Sequence, residues 1–130
     1  MFSHIMVGTN DIDGAQSFYD EVLGVLNIGN GLIQPNATGH KSVFYMHGGN
    51  IFGVAEPISG NSVNSADGGT IGFTCSSPEQ IKAFHDAAIQ HGGTSIEDPP
   101  GLREGPLGKV YLCYFRDLDG HKICGMHRPG

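Results

Sequence analysis

The chain repeats one pattern of apolar and acidic residues at a constant separation of 66 positions. The matched pairs at this separation are Ile5 with Ile71, Val7 with Phe73, Asp13 with Glu79, Phe18 with Phe84, and Asp20 with Asp86. Repetition at a fixed period indicates that one supersecondary unit is used twice. A chain of 130 residues then has room for two small halves that share one core.

Each half begins with an apolar segment suited to a β-strand and continues with an amphipathic helix. In the first half we predict a strand over 2–9, a helix over 11–24, and strands over 25–28, 41–47 and 50–56. In the second half we predict a strand over 70–76, a helix from the capping residue Ser77 to Gly92, and strands over 94–97, 109–116 and 121–127. The element order βαβββ therefore occurs twice.

The segment between the halves is rich in Ser, Asn and Gly and has no apolar period, which is typical of a connector. We predict a single domain over 1–130, with one βαβββ module over 1–57, a linker over 58–68 and a second module over 69–130. A βαβββ module packs its helix on one face of its sheet and leaves the other face open. The predicted fold is α+β, with two modules forming a shared, cupped, barrel-like mixed sheet around a small-molecule pocket.

The formal net charge is −6, from 7 Lys and Arg against 13 Asp and Glu, and the basic residues form no sequence cluster. This charge argues against nucleic acid and against anionic membranes as partners. No run approaches the roughly 18 apolar residues of a membrane span, and the first residues lack the features of a secretory signal. We expect a soluble, cytoplasmic protein.

The three cysteines, Cys75, Cys113 and Cys124, have no C-x-x-C spacing. The sequence therefore favours neither a disulfide framework nor a zinc finger. We interpret Cys75 and Cys113 as small buried apolar residues; Cys124 has a second interpretation, given below.

Two stretches resemble the vicinal oxygen chelate superfamily, which includes glyoxalase I, extradiol dioxygenases, fosfomycin-resistance enzymes and bleomycin-resistance proteins. They are the opening HIMV followed by DIDGAQSFYDEVL, and the ending YFRDLDGHKI. The segments AFHDAAIQHGG and PPGLREGPLGKVYLCYFRDLDGHKI are similar to small bacterial glyoxalase-like members. The resemblance covers the whole chain and implies the glyoxalase/bleomycin resistance/dihydroxybiphenyl dioxygenase fold. It does not select one reaction, because this scaffold carries isomerisation, ring cleavage, epoxide opening and drug sequestration.

Metal-using members of the superfamily hold a divalent ion with side chains from the first and last strands of each module. Open positions on the ion then bind two vicinal oxygens of the substrate. By resemblance, His4 is the ligand from the first strand. The other three positions differ from the family pattern: Thr70 replaces the second histidine, Cys124 replaces a glutamate, and the last position falls on Phe52 or Gly53.

A rebuilt metal site would use His4, Glu56 and Cys124, with His47 as a further candidate, and would suit zinc, nickel, manganese or iron. In that site His4 and Glu56 are the candidate catalytic residues, and Glu56 is a candidate general base. Each residue also has a plainer interpretation. His4 is then a hydrogen-bonded strand residue, Glu56 a solvated strand end and Cys124 a buried thiol, and no metal is bound.

The resemblance implies two hypotheses for the function. In the first, the protein is a glyoxalase-like lyase or isomerase, related to lactoylglutathione lyase, that uses a metal to act on a small oxygen-rich substrate. In the second, a metal-free protein of the bleomycin-resistance type sequesters an apolar or cationic drug, because Thr70, Cys124 and Phe52 make the site more apolar and the chain is acidic. Exposed sheet edges and an open cleft predict a homodimer, including one that exchanges modules.

Overall fold

The first half of the chain forms a mixed sheet with one helix on one face. In the computed structural model, which describes residues 1–106 and 108–130, its elements are β1 (His4–Gly8), α1 (Ile12–Gly24), β2 (Leu32–Pro35), β3 (Lys41–His47) and β4 (Asn50–Ala55). The strand order is β1-β4-β3-β2. Strand β1 runs parallel to β4, and the other neighbours are antiparallel.

The second half repeats this plan and adds a strand. Its elements are β5 (Ile71–Thr74), α2 (Pro78–Gln90), β6 (Thr94–Ser95), β7 (Gly101–Gly105), β8 (Gly108–Arg116) and β9 (Lys122–His127). The strand order is β5-β9-β8-β6, and β7 also pairs with β8. Strand β5 is parallel to β9, as β1 is to β4.

The predicted α+β class is confirmed. The structure has two helices and two mixed sheets, one sheet in each module, and the described residues form no closed barrel. The strand predicted over 25–28 is wrong, because Val25 caps the end of α1 and Leu26 is buried in the core. The chain instead forms β2, whose four residues are all exposed and so show no alternation of apolar and polar positions. Strand β7 has no counterpart among the predicted strands for a similar reason, since most of its residues are exposed.

The two helices begin where their capping residues predict. The Asp11 carboxylate accepts a hydrogen bond from Gly14 N, and the Ser77 hydroxyl accepts one from Gln80 N. These bonds satisfy backbone amides that the first turn of a helix leaves free. Both helices then bury an apolar stripe against the sheets, with Phe18 and Val22 in α1 and Phe84 in α2 fully buried.

The two halves share one core, because they meet through their helix-bearing faces. Phe52 of the first sheet packs edge-on against Phe73 of the second, with ring centroids 5.2 Å apart. Phe18 of α1 contacts Phe115 of β8 in the same way at 6.3 Å, and α1 also contacts α2. The faces turned away from the helices take no part in this core.

The turn between β8 and β9 connects the two halves by hydrogen bonds. Asp119 accepts a bond from Asn10 N at 2.8 Å, and the His121 ring nitrogen Nε2 lies 2.7 Å from the Gly8 carbonyl oxygen. The turn that follows β8 therefore holds the end of β1, across more than a hundred residues of sequence.

Neither α1 nor α2 is long and apolar enough to cross a membrane, and no other described segment forms such a helix.

Candidate functional site

The first sheet has one face that points away from α1, which we call the first open face. Strand alternation places Val7, Val54 and Tyr45 in the core. The same alternation and the strand registers place the following residues on the first open face: His4, Met6, Leu32, Ser42, Phe44, Met46 and Ile51. Large apolar side chains there are exposed, at 38% for Met6, 53% for Leu32 and 57% for Met46.

His4 lies at the start of β1 on the first open face and is exposed. Its Nδ1 atom is 2.7 Å from the Ser3 hydroxyl oxygen. This contact orients the ring, because one ring nitrogen takes part in a hydrogen bond and the other, Nε2, is left for a ligand. His4, the predicted ligand from the first strand, is therefore accessible to a small molecule.

Glu56 lies far from His4. His4 is the register partner of Ile51 on β4, and Glu56 follows the end of that strand, so five residues or roughly 17 Å separate the two along the sheet. The Glu56 carboxylate also accepts a 2.6 Å hydrogen bond from Lys41 N. His4 and Glu56 line opposite ends of one shallow hollow of about 530 Å³ on the first open face.

Cys124 belongs to the other sheet. Its register partners are Gly72 on β5 and Tyr114 on β8, on the face turned away from α2, which we call the second open face. The thiol is 4% exposed. Burial raises the pKa of Cys124, although the neighbouring Tyr114 hydroxyl and Lys122 ammonium act in the opposite direction. The group is thus a thiol at neutral pH, in agreement with its plainer interpretation.

Cys75 and Cys113 are free and fully buried, as predicted. Burial raises the pKa of Cys75 to about 11 and that of Cys113 to about 12. Their sulfurs lie on either side of Gly125, where a side chain would contact both. They act as apolar packing groups of the second half.

His47 lies at the same end of the first sheet as His4, at the turn between β3 and β4, where it pairs with Asn50. Both histidines line a cavity of about 320 Å³ between the two halves. The wall of this cavity is mainly apolar, with Phe52 and Phe73 among its residues. His4 and His47 lie two strand spacings apart, roughly 10 Å. They therefore line different parts of the cavity and are too far apart to bind the same ligand atom.

The predicted metal ligands do not converge within one chain. Among residues 1–106 and 108–130, no three His, Cys, Asp or Glu side chains form a group that could hold an ion. Ligand bonds to zinc are about 2.0–2.3 Å long, whereas His4 and Glu56 lie at opposite ends of the first sheet and Cys124 lies on the second sheet. The donor set of a single chain does not fit a metal ion.

A cluster that the sequence reasoning missed lies on the second open face around Tyr114. Lys122 contacts the Glu97 carboxylate, and its ammonium sits 4.7 Å from the centre of the Tyr114 ring. Arg103 on β7 donates hydrogen bonds to the Asp98 and Pro99 carbonyl oxygens at 3.1 and 2.9 Å. Strand alternation is the sequence signal that could have pointed to this cluster, because it separates Tyr114 from Tyr111, which lies on the opposite face of β8.

Comparisons with known proteins agree with this architecture. The family model described as Glyoxalase/Bleomycin resistance protein/Dioxygenase superfamily matches residues 1–124. A crystal structure of a glyoxalase/bleomycin resistance protein from Albidiferax ferrireducens T118 is 48% identical, covers 98% of this chain and 99% of that chain, and superposes with a TM-score of 0.90. No curated protein matches the chain.

More distant structures share the fold. A lactoylglutathione lyase from Agrobacterium tumefaciens is 17% identical, with coverage of 98% of this chain and 92% of that chain and a TM-score of 0.64. A fosfomycin resistance protein from Listeria monocytogenes is also 17% identical, with coverage of 100% and 92% and a TM-score of 0.70. With a family model matched over nearly its whole length, this chain belongs to the glyoxalase/bleomycin resistance protein/dioxygenase superfamily.

Proposed function

We propose that the protein binds an organic small molecule, without a metal, on its open sheet faces. The observation that carries this proposal is the apolar surface of the first open face, where Met6 and Met46 are exposed and Phe44 is half-buried, all on the side away from α1. Contiguous apolar surface of this kind typically marks a ligand or partner site in a soluble protein. The backbone beneath it is a rigid sheet, which suits a preformed site.

A second copy of the chain would enclose the shallow hollow on the first open face. Each sheet buries only one of its faces within the chain, so the first open face of one copy and the second open face of another can enclose a ligand. This arrangement of the open faces supports the predicted homodimer with exchanged modules.

The three free thiols support a reducing compartment, and we propose that the protein acts in the cytoplasm.

Light scattering tests the assembly. We expect a dimer mass for the wild-type chain and a monomer mass for Met46→Glu, which places a charge on the first open face. Ile89→Glu is the matched control, because Ile89 is an exposed apolar residue on α2, away from both open faces. A monomeric wild-type protein at tens of micromolar concentration would refute the dimer.

Binding is tested by thermal shift with a panel of amphipathic compounds that includes antibiotics, with and without a chelator. We expect at least one class of compound to raise the melting temperature, by the same amount in both buffers. Phe44→Glu should remove the shift because it charges the apolar floor, whereas Ile89→Glu should retain it. No shift from any class would contradict the binding proposal.

A metal-dependent lyase or isomerase acting on a small oxygen-rich substrate is the second candidate. It is favoured by one observation, namely that His4 and His47 line the same cavity between the halves. Elemental analysis of protein purified without chelator or affinity tag tests it. Near-stoichiometric zinc, nickel, manganese or iron that disappears in His4→Ala, together with turnover of a hemithioacetal, would replace the binding proposal by the enzyme.

A further inference from the structure

The basic residues of this acidic protein are concentrated in its last strands. Residues 1–100 contain 2 Lys and Arg against 10 Asp and Glu, whereas residues 101–130 contain 5 against 3. The net charge of −6 therefore does not describe the local field at the second sheet. Coulomb interactions fall off with distance and are screened by salt, so the nearest charges decide which ligand a site accepts.

Strand alternation puts three of these basic residues on the second open face. Arg103 on β7, Arg116 on β8 and Lys122 on β9 all lie on the side away from α2, as do Tyr114 and Cys124. Of the described strand residues on this face, none is acidic. Glu104, the acidic residue of β7, points to the opposite side and lies 3.8 Å from Lys109.

Arg103 is held in place without a carboxylate partner. Its guanidinium donates two hydrogen bonds to the carbonyl oxygens of Asp98 and Pro99, which fix the side chain but do not neutralise its charge. Among the described residues, no carboxylate lies within ion-pair distance of Arg103. A half-buried guanidinium with unused donors is a group that recognises a planar oxyanion in two-point fashion.

The loop whose Asp98 and Pro99 carbonyls hold Arg103 also contacts a second cation through the preceding residue, Glu97. Glu97, which has a left-handed backbone at φ 60°, contacts Lys122, and Lys122 lies against the ring of Tyr114. Together Arg103, Lys122 and Glu97 have one excess positive charge around the Tyr114 hydroxyl. A non-glycine residue in this backbone region is strained, and such residues cluster at ligand sites.

We propose that the ligand enclosed between the first open face of one copy and the second open face of another is a carboxylate with an apolar body. Arg103 and Lys122 of the second open face bind its anionic group, and Met6, Phe44 and Met46 of the first open face contact the remainder. This inference rests on the proposed binding function and names the class of its ligand. It also differs from the cationic guest that the overall charge of the chain suggests.

The test uses matched ligand pairs that differ only in charge, namely phenylacetate, 4-phenylbutyrate and 2-naphthoate, each against its primary amide. Isothermal titration calorimetry at low salt measures both members of each pair. For at least one pair we expect the carboxylate to bind about tenfold more tightly than the amide, the difference that a charge-assisted pair provides. Added salt should reduce the preference.

Variants assign the preference to the second open face. Arg103→Met should abolish the carboxylate preference, and Lys122→Met should reverse it in favour of the amide, because Glu97 is left without its cation. Lys109→Met is the matched control, since Lys109 is also paired with a glutamate but lies on the other side of β8. Arg103→Lys keeps the charge but loses the two-point geometry, so it should retain part of the preference, and it serves as the test if Arg103→Met folds poorly.

The outcomes distinguish failure of the anionic subsite from failure of small-molecule binding. Binding of carboxylate and amide with equal affinity, or a preference that Lys109→Met removes as fully as Arg103→Met, would overturn the anionic subsite and leave the small-molecule binding intact. Failure of every pair to bind would overturn the carboxylate inference, and it would overturn the binding proposal as well only if no compound of the thermal-shift panel binds. A carboxylate preference lost only in Arg103→Met and Lys122→Met supports the subsite.

Discussion

The hydroxyl of Tyr19 donates a hydrogen bond of 2.5 Å to the carboxylate of Asp117, 98 residues later in the chain. Both residues are buried, at 1% and 6% exposure. The second carboxylate oxygen of Asp117 accepts bonds from the backbone amides of Asp119 and His121 at 3.0 and 2.9 Å. Burial and the Asp117 charge raise the pKa of Tyr19, so this hydroxyl remains a donor. The pair fixes α1 to the turn after β8.

Removal of the Tyr19 hydroxyl should destabilise the protein. Tyr19→Phe leaves a buried carboxylate one donor short, and we expect the free energy of unfolding to fall by about 1.5–3 kcal/mol. Urea denaturation measures the change. Tyr111→Phe, at a half-buried position on β8, is the control and should cost less than about 0.5 kcal/mol. Equal losses in the two variants would contradict the role assigned to the Tyr19–Asp117 bond.

A side chain at Gly125 should be poorly tolerated. A Cβ atom there would lie 2.9 Å from Cys113 Sγ and from Phe84 Cδ2, and 3.2 Å from Cys75 Sγ. We expect Gly125→Ala to lower the free energy of unfolding by about 1–3 kcal/mol through overpacking. Gly24→Ala in α1 is the control: its methyl group meets no atom within 4 Å, and it should stabilise the helix by about 0.5–1 kcal/mol. A free energy of unfolding for Gly125→Ala equal to or above that of the wild-type protein would contradict this prediction, because the side chains around the new methyl group would then have moved without cost.

The three thiols should resist modification in the folded protein. Burial raises the pKa of all three cysteines, to about 11 for Cys75 and about 12 for Cys113. Since only the thiolate reacts, Ellman's reagent at pH 8 should label none of them rapidly in native protein and all of them in guanidinium chloride. Rapid labelling of one thiol in the native state, lost in Cys124→Ser, would place a reactive thiolate on the second open face.

His85 should make stability sensitive to pH. The residue lies on the buried side of α2, 2.9 Å from the Ser95 hydroxyl. Burial lowers the pKa of His85 below its usual value, an effect opposed by Asp86 and reinforced by Lys82. The unfolded chain therefore binds a proton more readily than the folded one, and stability falls as pH drops below about 6.5.

Thermal melts at pH 7.5 and pH 5.5 test this expectation. The decrease in melting temperature between the two pH values should be smaller in His85→Gln than in the wild-type protein, because the glutamine carries no titrating group. His47→Gln, at an exposed position, should behave as wild type does. A decrease of equal size in all three proteins would exclude His85 as a source of the pH dependence.

Sequence reasoning found the helices because their signals are local. The caps at Asp11 and Ser77 and the stripes through Phe18 and Phe84 depend on residues within a few positions of one another. It missed β2 because all four residues of this strand are exposed, and a strand without a buried face leaves no alternating pattern. Strands that gain stability only from neighbours in the sheet cannot be read from their own residues.

The candidate site was less accessible to sequence reasoning, because it depends on register and on loop conformation. His4 and Glu56 are both polar and near strand ends, but the parallel register of β1 and β4 puts them at opposite ends of the sheet. The grouping of Arg103 with Lys122 needs the hairpin of β7 and β8 and the left-handed Glu97. Neither feature has a signature in the residues concerned.

The contacts of Asp117 with Tyr19, and of Asp119 with Asn10, also bear on how the chain folds during synthesis. Translation runs from the N-terminus, so the first module leaves the ribosome while the acceptor for its buried tyrosine has not yet been made. Tyr19 gains that acceptor only when residue 117 of 130 emerges. Final packing of the first half around Tyr19 is therefore postponed until the second half, with Asp117, has been synthesised.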